Sequence, residues 1–252
     1  MNVLPYPAAR ALADASSRRA KAAKVLAVLS DYRSEWTDCD CLEIGCAAGL
    51  MTEVFATRFR KVVGLDVDSP GLSAAVRRGP PANVGYVLGD ATRLPFPEGA
   101  FDVVVCAQVY EHCGNPAALL SESHRVLKPG GLCYFSGPNR LWPIEDHYGL
   151  PFVHWLPERV ADAYVRLSGR GKAYLEKPMT GHALLGLMAG FVVDDYGPCL
   201  LAQPERYLGA PLGALGRAAG LLGGPLAALV PNFNWVLRKL PAGAADNTSS
   251  SP

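Results

Sequence analysis

Acidic and small residues recur where apolar runs end in the first half of this 252-residue chain. Glu43 precedes a turn of small residues from Gly45 to Gly49, Asp66 closes the next apolar run, and Asp90 follows the third. A turn of Gly and Ala lets backbone N–H groups approach a ligand closely. An acid after the second run can accept hydrogen bonds from both ribose hydroxyls, and one after the third can accept from the exocyclic amine of adenine. The pattern indicates a nucleoside ligand.

Two classes of nucleoside compete for this turn. A dinucleotide site requires G-x-G-x-x-G, with the pyrophosphate on the helix N-terminus. Gly45, Ala47 and Leu50 occupy those three positions, and the acid Glu43 sits poorly near a pyrophosphate. S-adenosylmethionine has a free amino group that suits an acid, carries no phosphate and bears a positive sulfonium. The turn therefore favours a sulfonium nucleoside, and its spacing argues against an NAD-dependent reductase.

Strands and helices in alternation must position these residues. Apolar runs predict strands over 41–44, 61–65, 84–88, 101–107, 132–136, 191–196 and 233–240. Helical patterns include 8–29, 52–58 and 180–189. The alternation predicts an α/β fold, a doubly wound, Rossmann-like sheet of seven strands, mostly parallel with the last antiparallel, with helices on both faces and helical cap insertions. Ligands of such sheets bind beyond the carboxyl ends of the strands, where the acids fall.

Five sequence segments in this order carry a family resemblance. They are LEIGCAAGLMT at 42–52, VVGLDVD at 62–68, GDATRLPFPEGAFDVVVCAQVYEH at 89–112, HRVLKPGG at 124–131 and ALLGLMAGFVV at 183–193. Over about residues 40–196 the chain resembles class I S-adenosylmethionine-dependent methyltransferases, in particular the small-molecule group related to quinone-biosynthesis methyltransferases. The family pattern has Gly at the position of Ala47, so this chain adds a methyl group where the backbone meets the methionine part.

The resemblance implies S-adenosyl-L-methionine as the cofactor. The contacts it implies are Glu43, Gly45, Cys46, Ala47, Gly49, Asp66, Val67, Asp90, Ala91 and Gln108. In that assignment the turn lines the methionine part, Glu43 orients the turn or the amino group, and Asp66 takes the ribose hydroxyls. Val67 packs on the adenine, and Asp90 with Ala91 reads its edge.

The segment 138–178 interrupts the alternation and follows the fifth predicted strand, so it can fold over the pocket mouth. Methyl transfer to a hydroxyl requires in-line positioning and removal of a proton. His147 and His154 are therefore the candidate general bases, with Glu145 or Asp146 available to orient a histidine. In the alternative interpretation, the segment is a structural cap whose aromatic side chains simply pack.

Other residues around the predicted acceptor site have weaker signals. His112 lies at a helix entrance after the fourth strand, and by resemblance it recurs there in the family. A structural or cofactor-side role for His112 is favoured over proton transfer. The candidate contacts to the substrate are Trp142, Tyr148, Phe152 and Trp155.

Residues 208–230 carry a single charge, Arg217. Their length and apolarity reach the threshold for a membrane span, but glycines and prolines weaken a spanning helix. A helical hairpin that caps the core or lies on a membrane face is favoured instead. Such a segment favours an apolar acceptor, such as a lipid, quinol or polyketide, and predicts possible peripheral membrane contact.

Composition sets further expectations. Lys plus Arg is 24 and Asp plus Glu is 23, which gives no basic face for nucleic acid. The seven cysteines are scattered, and the spacing of Cys39 and Cys41 is not that of a zinc knuckle, so no metal site is predicted. Reduced thiols and the absence of an N-terminal apolar run predict a cytoplasmic protein.

The predicted organisation has five parts. They are an N-terminal helical cap at 1–40, the cofactor-binding half at 41–137, a substrate cap at 138–180, the rest of the sheet at 181–240 with an apolar insertion at 205–231, and a disordered tail at 241–252.

The function predicted is methyl transfer to a small molecule, at a hydroxyl oxygen. N- or C-methylation of a small molecule, and a non-catalytic nucleoside-binding protein of the same fold, remain alternatives.

Overall fold

A computed structural model describes residues 15–145, 147–209 and 230–241. Seven strands form one sheet in the order β3-β2-β1-β4-β5-β7-β6. The strands are β1 (Asp40–Ile44), β2 (Lys61–Asp66), β3 (Val84–Leu88), β4 (Phe101–Ala107), β5 (Leu127–Pro138), β6 (Phe191–Asp195) and β7 (Asn232–Lys239). The neighbours from β3 to β5 are parallel. β7 is antiparallel to both β5 and β6, which confirms the predicted fold class.

Eight α-helices are described around the sheet. They are α1 (Ala15–Leu29), α2 (Leu50–Phe55), α3 (Ser69–Arg77), α4 (Pro116–Val126), α5 (Glu158–Leu167), α6 (Gly181–Leu185), α7 (Gly197–Ala202) and α8 (Pro204–Leu208). Short 3-10 helices span Tyr110–His112 and Val153–Trp155. None of the helices in the described ranges combines the length and apolarity that a bilayer span requires.

Successive residues of a strand point to opposite faces of the sheet. Helices cover both faces here, so both sets of side chains are buried. On one face Val105 of β4 joins a core with Val25 of α1 and Phe55 of α2. On the other face its neighbour Val104 joins a core with Leu119 of α4. This doubly covered sheet leaves the carboxyl ends of β1, β2, β3 and β4 as the edge where turns can hold a ligand.

Several predicted boundaries were wrong in informative ways. β5 begins at Leu127 rather than at residue 132, because the chain stays extended through Pro129 and turns at Gly130, whose φ is +79°. α6 ends at Leu185 rather than at residue 189, before Gly186. α2 spans 50–55 rather than 52–58.

The interrupting segment contains a helix that the sequence interpretation did not assign. α5 follows Pro157 and buries Ala161 and Val165, four residues apart on one face. These side chains form a small separate core with Leu150 and Val153. Most of the predicted apolar segment 208–230, and the tail from residue 242, lie outside the described residues.

Candidate functional site: the cofactor turn and the cap cluster

The turn after β1 uses three residues with left-handed backbone. Gly45, Ala47 and Gly49 have φ values of +75°, +48° and +73°. A Cβ on Gly45 would lie 2.5 Å from a methyl group of Val109, and one on Gly49 would collide with the hydroxyl of Tyr86. Glycine is therefore required at both positions for conformation and for space. Ala47, the departure from the family pattern, adopts the same backbone region despite its Cβ.

Asp66, at the end of β2, holds this turn in place. Its Oδ2 accepts a hydrogen bond from the Ala47 N–H at 2.6 Å, and its Oδ1 accepts one from the Asp68 N–H at 2.8 Å. The sequence interpretation gave Asp66 to ribose hydroxyls alone. A carboxylate has about four acceptor sites, so both tasks are compatible.

Glu43 lies buried under the turn, with 4% of its surface exposed. The Thr52 hydroxyl of α2 donates to its Oε2 at 2.5 Å. Burial raises the pKa of Glu43 to about 7, although the Thr52 hydrogen bond and the charge of Arg18 oppose the rise. Arg18 of α1 and Glu43 line one small cavity beside the turn. Arg18 and Thr52 were missed, because nothing in the sequence connects these helix residues to the acid.

The residues predicted at the adenine end lie at the ends of β2 and β3. Val67 is 49% exposed, and Ala91 is buried. Asp90 accepts hydrogen bonds at Oδ1 from the backbone N–H and the hydroxyl of Thr92, at 2.8 and 2.7 Å. In this structure Asp90 therefore closes its own turn.

Two further predicted cofactor residues occupy different environments. Cys46 is buried, and its sulfur lies beneath the turn against Gly64 of β2, so its side chain packs in the interior. Gln108 follows β4 with a φ of +60° and donates from its amide to Asn232 of β7 at 2.9 Å.

The 3-10 helix after β4 is fastened to the cap. The buried hydroxyl of Tyr110 donates to the Pro138 carbonyl and accepts from the Met179 N–H at 3.1 Å. The Lys177 N–H donates to the carbonyl of Glu111 at 3.0 Å. These bonds place the segment around residue 176 beside the end of β4.

A cluster of imidazoles and carboxylates lies at this junction; we call it the cap cluster. Its members are Glu111, His112, Glu145, His147 and Glu176. Nδ1 of His147 lies 3.0 Å from Oε1 of Glu145 and 3.8 Å from Oε1 of Glu176. Nδ1 of His112 lies 3.3 Å from Oε2 of Glu176, and the two imidazole rings are 5.5 Å apart. All three carboxylates are buried.

Burial and neighbouring charges have opposing effects on the pKa values of the cap-cluster side chains. Burial raises the pKa of Glu111 to about 8 and that of Glu176 to about 7, and lowers that of His112 to about 4. Burial also opposes protonation of His147, but the carboxylates around it outweigh this effect and raise its pKa. Burial likewise opposes ionisation of Glu145, whose hydrogen bond to His147 nevertheless lowers its pKa.

His154, the other candidate base, has a different partner. It is buried in the second 3-10 helix, and its Nδ1 lies 2.7 Å from the Tyr174 hydroxyl. Of the predicted substrate contacts, Phe152 and Trp155 pack together at 5.0 Å and are each about half exposed. Trp142 is half-buried.

Tyr148, the fourth predicted substrate contact, is half-buried, and its hydroxyl donates to the Ala173 carbonyl at 3.1 Å. Its ring packs at 5.9 Å from that of Tyr174. Tyr148 is thus partly engaged inside the cap.

Residues 42–135 match the family described as a methyltransferase domain. Over these residues the chain carries a methyltransferase domain. It is 39% identical over 102 residues to a probable S-adenosylmethionine-dependent methyltransferase of Mycolicibacterium smegmatis, a match that covers 40% of this chain and 39% of that protein. It is 31% identical over 114 residues to the ubiquinone biosynthesis O-methyltransferase of Pseudomonas putida, covering 44% of this chain and 49% of that protein. The chain thus spans less than half the length of these curated relatives.

The methyltransferase fold extends beyond the matched residues. A solved S-adenosylmethionine-dependent methyltransferase from Mesorhizobium loti aligns with a TM-score of 0.56 at 18% identity. The alignment covers 81% of this chain and 92% of that one. At this identity the likeness concerns the fold.

The turn of this methyltransferase domain fits S-adenosylmethionine, the cofactor of the family. Its left-handed glycines bring the backbone to the surface, and Glu43 lies buried beside the turn, where it lines a small cavity with Arg18. The sequence predicted that Glu145 could orient a histidine, and Glu145 does contact His147. It missed that Glu111 and Glu176 join them in one cluster. Glu176 lies far along the chain from His112, and the prediction that no metal site exists considered cysteine spacing rather than a His and Glu group.

Proposed function

We propose that this methyltransferase domain transfers a methyl group from S-adenosylmethionine to a hydroxyl oxygen of an apolar small molecule. The observation that carries the proposal is the position of the cap cluster. Its members Glu111 and His112 directly follow β4, which is the parallel neighbour of β1, so their end of the sheet is also that of the cofactor turn. A hydroxyl acceptor has to lose a proton, and imidazole and carboxylate groups can take it. Bound S-adenosylmethionine supplies the electrophilic methyl group.

The protein's own residues hold S-adenosylmethionine and orient the methyl acceptor. The turn and Glu43 receive the methionine part, Asp66 the ribose, and Val67 the adenine face, with Asp90 and Ala91 at its edge. Gln108 lies between this site and β7. Holding the acceptor in line with the methyl group removes much of the entropic barrier to the displacement.

His147 is the best-supported candidate for the general base. A proton held on Nδ1 by Glu145 places the basic lone pair on Nε2, the arrangement of an oriented catalytic imidazole. His154 is the second candidate, with its Nδ1 engaged by the Tyr174 hydroxyl. His112 is less suited, because burial disfavours its protonated form.

The apolar character of the acceptor rests on the cap at 138–180. Phe152 and Trp155 form a half-exposed aromatic pair, and Trp142 precedes them in the same cap. Peripheral membrane contact through 208–230 and a cytoplasmic location belong to the same proposal. Methylation at nitrogen or carbon, and nucleoside binding without catalysis, are the alternatives that product analysis separates.

Cofactor binding is tested by calorimetry with S-adenosylmethionine and its demethylated product. We expect wild type to bind, and Asp66→Ala to bind at least tenfold more weakly, because the turn loses its anchor and the ribose loses its acceptor. Asp66→Asn keeps the size of the side chain but replaces one acceptor oxygen by a donor, so it should also weaken binding. Wild type that binds neither ligand would end the proposal.

The role of the cap is tested by turnover with a panel of phenols, quinols and lipids, followed by mass spectrometry of the product. His147→Ala should lower the rate by roughly 10²–10⁴-fold, the usual contribution of a positioned base. His154→Ala is the matched change in the same cap and should retain more activity. If both variants kept full turnover, neither histidine would be the base.

A further inference from the structure

The cap cluster holds a group of side chains with the chemistry of metal ligands. Glu111, His112, His147 and Glu176 each offer one nitrogen or oxygen atom, and these four atoms lie within 4.8 Å of one another. Two ligands come from the 3-10 helix after β4, and two come from the cap. Nδ1 of His112 and Oε2 of Glu176, an imidazole and a carboxylate atom of this group, are 3.3 Å apart. Ligands about 2.0–2.1 Å from a tetrahedral ion are separated by about 3.4 Å.

The environment of Glu111 points to a bound cation independently of the spacing of the ligand atoms. Its side chain is fully buried, and neither carboxylate oxygen has a hydrogen-bond partner among the described residues. Oε1 lies 3.9 Å from Nε2 of His112 and so faces the group. Lys21 of α1 lowers the electrostatic cost of its charge but forms no hydrogen bond to these oxygens. A buried carboxylate without partners is expensive unless a cation satisfies it.

Glu145 supplies a feature that is typical of metal sites. Histidine ligands usually donate their other ring N–H to a carboxylate, which fixes the tautomer and the ring orientation. Glu145 is buried and its Oε1 lies 3.0 Å from Nδ1 of His147, so a proton held on Nδ1 would leave Nε2 as the ring nitrogen that binds an ion. Its Oε2 also accepts the Tyr148 N–H, so the carboxylate is itself held.

We propose that Glu111, His112, His147 and Glu176 bind one divalent first-row transition-metal ion, with Glu145 orienting His147. Mixed imidazole and carboxylate donors suit Zn²⁺ and its neighbours better than Ca²⁺, which prefers oxygen alone. The ion offsets the repulsion among three buried carboxylates. Because its ligands come from both the β4 end and the cap, it also fastens the cap to the sheet.

Metal binding by these residues does not depend on methyl transfer, although the site's place beside the acceptor rests on the proposed function. In the metal-bound protein His147 would be a ligand and could not also be the general base, and the ion would instead lower the pKa of an acceptor hydroxyl that contacts it. Loss of turnover in a His147 variant therefore follows from either role. Binding, not turnover, is the measurement that decides.

The test uses the tag-free full chain, stripped with a chelator and dialysed against buffered Zn²⁺, with bound metal measured by plasma mass spectrometry. Wild type should retain about one Zn²⁺ per chain at a structural site, with a rise in the unfolding temperature. Glu111→Gln and His147→Gln should lose this ion, and Glu145→Gln should bind roughly 10–100-fold more weakly. His182→Gln changes an exposed histidine outside the group and should bind like wild type.

Calorimetry with S-adenosylmethionine reports whether each variant is folded. Wild type that binds S-adenosylmethionine but retains no ion overturns the metal site and leaves the proposed function standing. Equal retention of Zn²⁺ by wild type, Glu111→Gln and His147→Gln also overturns it, since surface binding would then explain the ion. A chain that loads Zn²⁺ through these residues but methylates nothing overturns the proposed function instead.

Discussion

Ala47 is the residue at which local conformation and cofactor binding meet. Its φ of +48° lies in the left-handed region, where the Cβ of an L-residue costs about 1–2 kcal/mol. The hydrogen bond from its N–H to Asp66 holds it there. The turn thus keeps the shape of the family pattern at an energetic cost that glycine would avoid.

Ala47→Gly removes that cost. We expect the free energy of unfolding to rise by about 0.5–1 kcal/mol, because relief of the left-handed strain exceeds the extra freedom of glycine in the unfolded chain. Urea unfolding followed by circular dichroism measures the change. Ala48→Gly, one residue along and without a positive φ, is the control and should lose stability. Similar losses in both variants would show that Ala47 is not strained.

Glu43 makes stability depend on pH in the cofactor-free protein. Burial raises its folded pKa from 4.5 to about 7. The contribution of protonated Glu43 to the free energy of unfolding is therefore fully present below about pH 4.5 and is lost as the pH rises through about 7. Glu43→Gln keeps the shape and an acceptor for Thr52 but cannot ionise.

We expect Glu43→Gln to exceed the stability of wild type by less than about 1 kcal/mol near pH 5 and by up to about 3 kcal/mol at pH 8.5, the equivalent of the pKa shift. Urea unfolding of both proteins at the two pH values gives the difference, in which other titrating groups largely cancel. A stability difference that does not change with pH would mean that Glu43 ionises normally in the folded protein.

At the scale of elements, the end of β5 and the 3-10 helix after β4 form one unit. Gly137 of β5 lies against the Tyr110 ring, whose hydroxyl is bonded to Pro138 and Met179. A side chain at position 137 has no room. The contact between Gly137 and Tyr110 therefore fixes the end of β5 against the 3-10 helix, and with it the position of Glu111 and His112.

Gly137→Ala should displace Tyr110 and destabilise the fold by about 1–3 kcal/mol, the usual cost of overpacking. Gly85→Ala in β3 is the matched strand glycine, because a Cβ there meets nothing within 4 Å. It should be neutral or slightly stabilising. Thermal unfolding of the two variants compares them directly, and equal melting temperatures would contradict the packing argument.

The sequence predicted the elements that carry a local signal. Val103 to Val105 form an apolar run that only a central strand can bury on both faces, and β4 has the predicted bounds. Gly45 and Gly49 were recognisable because left-handed turns require glycine. Local signals indicated the Glu145 and His147 pair but not the rest of the cap cluster, since the approach of Glu176 to His112 depends on tertiary bonds such as that between Lys177 and Glu111.

At the scale of the whole molecule, Asn234 of β7 links distant parts of the chain. Its buried side-chain oxygen accepts from Lys24 of α1 at 2.7 Å and from the Tyr134 hydroxyl of β5 at 2.8 Å. Burial lowers the pKa of Lys24 to about 8, so this ammonium is held in an environment that disfavours its charge. The amide oxygen is what makes its burial tolerable.

Asn234→Ala should destabilise the protein by about 2–4 kcal/mol, because it removes the oxygen that accepts from the half-buried ammonium of Lys24 and from the buried hydroxyl of Tyr134. Tyr134→Phe removes only one of the donors and should cost about 1 kcal/mol. Equilibrium unfolding in urea tests both. A cost for Asn234→Ala no larger than that of Tyr134→Phe would show that Lys24 finds another acceptor.

β7 is late in the chain but internal in the sheet, between β5 and β6. While the ribosome is still adding residues before 232, β5 therefore presents a bare edge and β6 has no neighbour. Unpaired strand edges recruit other chains. Nascent or prematurely terminated chains of this protein are thus expected to be clients of chaperones and prone to aggregate, and soluble yield should rise abruptly once residue 239 is included.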